Sequence, residues 1–136
     1  MRLGDKQQLF ARLLPKLLIE AHAQGFDIRL GEILRFEQQA RYNSTHCRKC
    51  KQTKANRAHA LTKAKGGHRF RAIGILNSLH RQKLAIDLNL FRDGRLCAAD
   101  EYTPLGEWWE RLHELAANGR KFGDAGHFSL THKGRK

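Results

Sequence analysis

Cysteine is scarce in this chain. Cys47, Cys50 and Cys97 are an odd set that cannot all pair internally. Small domains held by disulfides carry a denser, even set, so synthesis in a reducing compartment is expected. Carboxylates are also few: 13 Asp and Glu stand against 26 Lys and Arg, a net charge of +13. That excess attracts polyanions such as nucleic acid, anionic membrane or anionic cell-wall polymers, and charge alone does not choose among them. Long apolar runs are absent. The opening "MRLGDKQQLFARLLPKLLIEAHAQG" has charges spread through its apolar positions, so it reads neither as a signal peptide nor as a bilayer span, and export would need another protein. There is no internal repeat and no long low-complexity segment, and 136 residues suit one domain, residues 1–136.

Leu9, Phe10, Leu13, Leu14, Leu17 and Leu18 recur at helical spacing and Gly25 is a stop, so residues 5–24 read as a helix that Pro15 kinks or divides. "FDIRLGEIL" alternates like a short strand, and "RFEQQARYN" reads as a helical turn or two. Residues 43–68 form a basic, polar insertion, expected as a loop or weak helix with a Gly-Gly pair near its end. "KLAIDLNLF" is the clearest strand: Leu84, Ile86, Leu88 and Leu90 share one face, and Ala85, Asp87 and Asn89 the other. The Asp-Gly of "RDGR" predicts a hairpin returning through "LCAA", where Cys97 reads as a small buried hydrophobe. Thr103 is expected to cap a helix with Pro104 in its first position. Its stripe of Leu105, Trp108, Trp109, Leu112 and Leu115 would run until Asn118-Gly119. The two tryptophans read as core and cleft wall. A last short strand is expected around residues 127–130. The sum is an α+β plan, a small antiparallel sheet flanked by helices.

Asp87 points away from the aliphatic face of its strand, with His80 at the strand's approach and His127 on a later strand. Two imidazoles and a carboxylate suit zinc and leave a fourth position for water. Asp124, three residues before His127, is placed to accept that water's proton. With eight histidines in the chain, spacing alone does not separate this set from chance.

"SLHRQKLAID", residues 78–87, resembles the Ser-x-His and Ala-x-Asp signature of zinc peptidases that cut bacterial peptidoglycan stems. These are the D-alanyl-D-alanine carboxypeptidases and dipeptidases and the phage L-alanyl-D-glutamate endopeptidases. "DLNLFRDG", "YTPLGEWWERL" and "FGDAGHFSL" follow in that family's order, and "EILRFEQQARY" is similar to its upstream stretch. The likeness spans about residues 28–130. It implies that His80, Asp87 and His127 bind Zn2+ and that Asp124 is the catalytic base. Ser78 would support a ligand or face the substrate, and Arg35 would hold a substrate carboxylate or polarise the scissile carbonyl.

The chain departs from the family pattern in three places: "RQKL" fills a position where a glycine is common, Glu110 stands where the carboxypeptidase branch has histidine, and "HCRKC" lies outside the pattern. The Asp-x-x-His form of "GDAGHF" favours the endopeptidase branch. In "HCRKC", Cys47 and Cys50 have the spacing of half a zinc knuckle that His46, His59 or His68 would complete; the alternative is a solvated basic loop.

The resemblance therefore implies a phage-type lysis enzyme acting on the L-alanyl-D-glutamate bond. It would be made in the host cytoplasm and would act as a monomer on peptidoglycan after a separate protein permeabilises the membrane. Its basic insertion and ends would attach to anionic wall or outer-membrane lipid, and nucleic acid is not the expected partner. The alternatives are a D,D-carboxypeptidase of the same fold and a basic, zinc-stabilised nuclease or nucleic-acid-binding module.

Overall fold

Phe10, Leu13, Leu17 and Ala21, spaced three and four apart, bury one side of the first helix, α1 (Leu3–Ala23). The computed structural model describes residues 1–35, 37–51, 53, 70–72 and 78–136. At the start of α1 the Asp5 carboxylate accepts a hydrogen bond from Arg2 N at 3.1 Å, placing a negative charge at the positive end of the helix dipole. At its end Gly25, with φ of 84°, closes a double-bonded cap: Phe26 N donates to Ala21 O and Gly25 N to His22 O. Pro15 does not divide the helix. It lies on the exposed side, and Ala11, whose carbonyl loses an intrahelical donor to the missing N–H, is an exposed residue too.

Four further elements assemble the sheet. Strand β1 (Asp27–Leu30) pairs antiparallel with β2 (Ala85–Arg92), which pairs with β5 (Asp124–Leu130), which pairs with β4 (Ala116–Gly119). The short β3 (Arg95–Leu96) returns on β2 through Asp93 and Gly94, both at positive φ (52° and 73°), the geometry of a two-residue hairpin turn. Helix α2 (Glu37–Thr45) follows β1, and α3 (Thr103–Leu112) lies between β3 and β4. This is the α+β domain expected, with helices beside a small antiparallel sheet.

The core sits between α1, α3 and one face of the sheet, with Leu17, Leu84, Ile86, Leu90, Leu105, Trp109, Phe128 and Leu130 fully enclosed. Trp109 stacks edge-on against Phe10 and Phe128, and its indole N–H donates to Ser129 O at 3.1 Å. Trp108 is half-buried against the same core. Cys97 is buried in it, as a small hydrophobe would be.

Three boundaries differ from expectation. The strand in "FDIRLGEIL" stops at Leu30, because Gly31 and Glu32 together face the single residue Asp87: Gly31 N donates to Asp87 O at 2.7 Å, and Asp87 N to Glu32 O at 2.9 Å. Two residues against one is a bulge, and it bends the chain out of the ladder. Thr103 is not a cap but the first residue of α3, because a 3-10 turn (Ala99–Tyr102) runs directly into it. The helix also ends at Leu112 rather than Asn118. His113 is extended, and Ala116–Gly119 pairs with β5, so sheet pairing overrides the helical preference of the two alanines. Of the basic insertion, residues 52 and 54–68 lie outside the described residues; residues 43–45 end α2, and His46 and Thr53 form an isolated bridge.

Candidate metal centre

The turn before β2 positions His80. Arg81, Gln82 and Lys83 donate in succession to the carbonyls of Ser78, Leu79 and His80 at 3.1, 3.0 and 3.2 Å, and Lys83 ends the turn at φ of 56°. Ser78 Oγ accepts from His80 N at 3.3 Å, so this buried hydroxyl braces the turn. Leu79 and Leu84 are packed in the core on either side, which leaves the His80 ring only 2% exposed.

Asp87 is aimed by its backbone. Its N–H and C=O both bond to the Glu32 and Gly31 side, so its pairing with His127 across the β2–β5 ladder is the non-hydrogen-bonded kind. Side chains in such pairs face each other at the closest spacing a sheet offers. A register shift makes room for the rest of β5: Asn118 pairs with Phe128 but Gly119 pairs with Asp124, so residues 125–127 bulge. Strict alternation would put Asp124 and His127 on opposite faces; the bulge lets both line one cleft. Asn118 holds the bulge, its amide donating to Ala125 O and His127 O at 2.8 Å each.

His80 Nε2, His127 Nδ1 and Asp87 Oδ1 meet in a triangle with all three separations at 3.1 Å. Burial opposes ionisation of Asp87, but hydrogen bonds and charge from His127 and His80 outweigh it and hold the carboxyl well below the usual carboxylate range. As hydrogen bonds alone the triangle is frustrated. If both ring nitrogens carry protons toward Asp87, those N–H groups also face each other. Ligand atoms about 2.0–2.1 Å from a tetrahedral ion lie about 3.3–3.4 Å apart, within a few tenths of an ångström of this spacing. The donor set fits one divalent ion, and it is the one such group among the described residues. Binding through Nε2 would leave the proton of His80 on Nδ1, a buried atom with no partner among the described residues.

The cleft around the triangle has a volume of about 280 Å³ and is also lined by Arg35, Ser78 and Asp124. Asp124 is exposed at the head of β5. Arg35 is half-buried, and its Nε and Nη2 both donate to the Glu32 carboxylate, which raises its pKa against the opposing effect of burial. The two-pronged grip on a substrate carboxylate is therefore occupied by Glu32, leaving Nη1 outside that pair. Sequence reasoning missed Glu32, although its spacing of three from Arg35 was a signal. It also missed Arg48, Phe122, Arg135 and Lys136, which share the cleft. Nothing in their spacing marks them.

Glu110 has a structural engagement. It pairs with Arg120 at 2.6 Å and accepts from Asn118 N at 3.3 Å, bracing β4 against α3. His46 engages Tyr42 O and Thr45 Oγ1 through Nδ1 and stacks on the Tyr42 ring; among the described residues it forms no metal-binding group of three with Cys47 and Cys50. His59 and His68 lie outside the described residues. The chain matches no protein-family model, and no curated protein matches it.

Proposed function

We propose that the protein is a zinc peptidase that cleaves peptidoglycan stem peptides, at the L-alanyl-D-glutamate bond. The observation that carries this reading is the equal-sided His80, Asp87, His127 triangle with Asp124 in the same cleft. Two imidazoles and one carboxylate suit zinc, which when bound would act as a Lewis acid on a carbonyl and acidify water.

The protein's own groups would handle the protons. Asp124 takes a proton from the attacking water as the new C–O bond forms at the alanyl carbonyl, and it passes that proton to the leaving nitrogen as the C–N bond breaks. Arg35, already paired with Glu32, contributes positive potential and its remaining donor toward the developing oxyanion rather than a carboxylate clamp. Ser78 and the turn it braces keep the His80 ring oriented. The +13 charge supports attachment to anionic wall or outer-membrane surfaces. In this reading the protein works as a monomer during phage-type lysis, after a separate protein has opened the membrane.

The test is digestion of purified Gram-negative peptidoglycan with and without chelator, followed by mass spectrometry of the fragments. Metal-dependent separation of alanine from glutamate is expected, and Asp124→Asn should abolish it. Loss of a terminal alanine would move the assignment to a D,D-carboxypeptidase. Chelator-sensitive cutting of plasmid DNA, with peptidoglycan left intact, would overturn the peptidase.

A further inference from the structure

Glu110 and Arg120 lie outside the metal triangle but are tied to it through one buried amide. Asn118 is only 3% exposed, and its side chain fills every hydrogen-bonding position it has. Nδ2 donates to Ala125 O and His127 O at 2.8 Å each, while Oδ1 accepts from Arg120 N at 3.3 Å and from Arg120 Nη1 at 3.5 Å. The amide has one workable orientation. Turned over, its oxygen would face two carbonyls and its NH2 two donors.

Arg120 Nη2 donates in turn to Glu110 Oε2 at 2.6 Å, and Glu110 Oε1 accepts from Asn118 N at 3.3 Å. One carboxylate therefore grips the backbone of Asn118 directly and its side chain through a guanidinium. Burial opposes ionisation of Glu110, but the hydrogen bonds from Arg120 and Asn118 N outweigh it and hold the carboxyl below its ordinary value. Helix α3 presses on the same group: a Cβ at Gly106 would lie 2.6 Å from Asn118 Oδ1 and 3.1 Å from Arg120 Nη1. Only a residue without a side chain lets the helix pass this close.

The amide in turn holds the part of β5 that carries the site. Ala125 and His127 span the bulge between Asp124 and Phe128, where regular pairing with β4 is interrupted. The backbone of His127 fixes where its Nδ1 meets His80 Nε2 and Asp87 Oδ1. A bound ion tolerates only about 0.2 Å of error in such distances.

We propose that Glu110 and Arg120 are positioning residues for the metal centre: acting through the Asn118 amide, they fix the β5 bulge and so set how tightly the ion is held. This rests on the metal-centre reading of the triangle. It gives a role to Glu110, one of the positions at which the chain departs from the carboxypeptidase pattern.

The experiment uses the full chain. Zinc affinity is measured by competition with a chromophoric chelator, and the visible absorption of bound Co2+ reports the coordination geometry. Asn118→Ser should raise the zinc Kd about tenfold, the lower end of what losing a ligand's outer support costs. Glu110→Gln keeps the size and the acceptor for Asn118 N but not the charge facing Arg120, and it should raise the Kd about threefold. Both should alter the cobalt bands. The double variant should bind no more weakly than Asn118→Ser alone, because the path is already cut. Glu101→Gln, which breaks the ion pair with Arg95 on β3, is the control and should keep the native Kd. Metal-free melting is recorded for each variant. Variants that melt lower yet keep the native Kd and cobalt spectrum would show a brace and nothing more, and would overturn the proposal. Effects that add in the double variant would overturn the path through Asn118. If Asn118→Ser does not fold, Glu110→Gln decides, and a native Kd in it refutes the assignment. A native chain that binds neither zinc nor cobalt ends the metal-centre reading and this inference together, whereas native binding with insensitive variants removes this inference alone.

Discussion

Gly119 sits where β4 meets the bulge of β5, and a single methyl group there should disturb His127 and Asp124 together, the one a proposed metal ligand and the other the proposed base. A Cβ at Gly119 would lie 2.3 Å from Asp124 O and 3.1 Å from His127 Cβ. Side-chain carbons essentially never approach backbone oxygen closer than 3.0 Å, so the bulge must give way by at least about 0.7 Å. The obstacle is backbone, not a flexible side-chain tip. Overpacking of this kind costs about 1–3 kcal/mol, a fall in Tm on the order of 3–12 °C for a domain of this size. Misplacing a catalytic group by about 1 Å costs about a hundredfold in rate. Gly119→Ala should therefore melt cooperatively a few degrees lower while losing about a hundredfold in kcat on stem peptide and binding zinc more weakly. Gly4→Ala is the control, since a Cβ there meets nothing within 4 Å and the helix gains about 0.5–1 kcal/mol. Calorimetry and a peptide cleavage assay on both variants decide the matter. If Gly119→Ala keeps the Tm and the rate of Gly4→Ala, the close packing of β4 on the bulge does not position the site.

Three further outcomes are expected. Zinc at a hundred times its dissociation constant should stabilise the fold by about 2.7 kcal/mol, and His127→Ala should remove nearly all of that thermal shift; an equal shift in the variant would place the ion elsewhere. Glu101 is held at about 2 by its hydrogen bonds with Arg95 and with Ala98 N, below its unfolded value, so its stabilising contribution is present above about pH 4.5 and is lost as pH falls toward 2. The Tm gap between the native chain and Glu101→Gln should close over that window, and a gap independent of pH would contradict the pairing. Trp109→Ala should destabilise by about 3–5 kcal/mol, measured by urea unfolding, because it empties a fully buried site and removes the indole hydrogen bond to Ser129 O, whereas Trp108→Ala should cost less than half as much.

The pattern of "KLAIDLNLF" was enough to put Asp87 on the polar side of a strand, because a strand's period of two leaves no third choice. Spacing offered His80, Asp87, Asp124 and His127 as one set but did not separate it from chance; the resemblance singled it out. No local periodicity requires a turn, one strand and another strand forty residues on to converge. Helix α1 was legible almost to the residue from its apolar stripe and Gly25. The second half of the expected Trp-containing helix was not. "AANG" has no strand signal of its own and becomes β4 only because β5 is there to pair with it.

Composition and periodicity by themselves determined the +13 surface, the amphipathic helices, the central strand and the α+β class, since each depends on residues that are neighbours in sequence or on a simple count. Tertiary structure alone decided that Arg35 is claimed by Glu32, that Asn118 and Gly119 shape the bulge carrying Asp124 and His127, and that Arg135 and Lys136 reach the cleft. Those arrangements depend on backbone register and on a turn folding back over a distant strand. Registers are chosen by the packing of the whole sheet, which no short stretch of sequence contains.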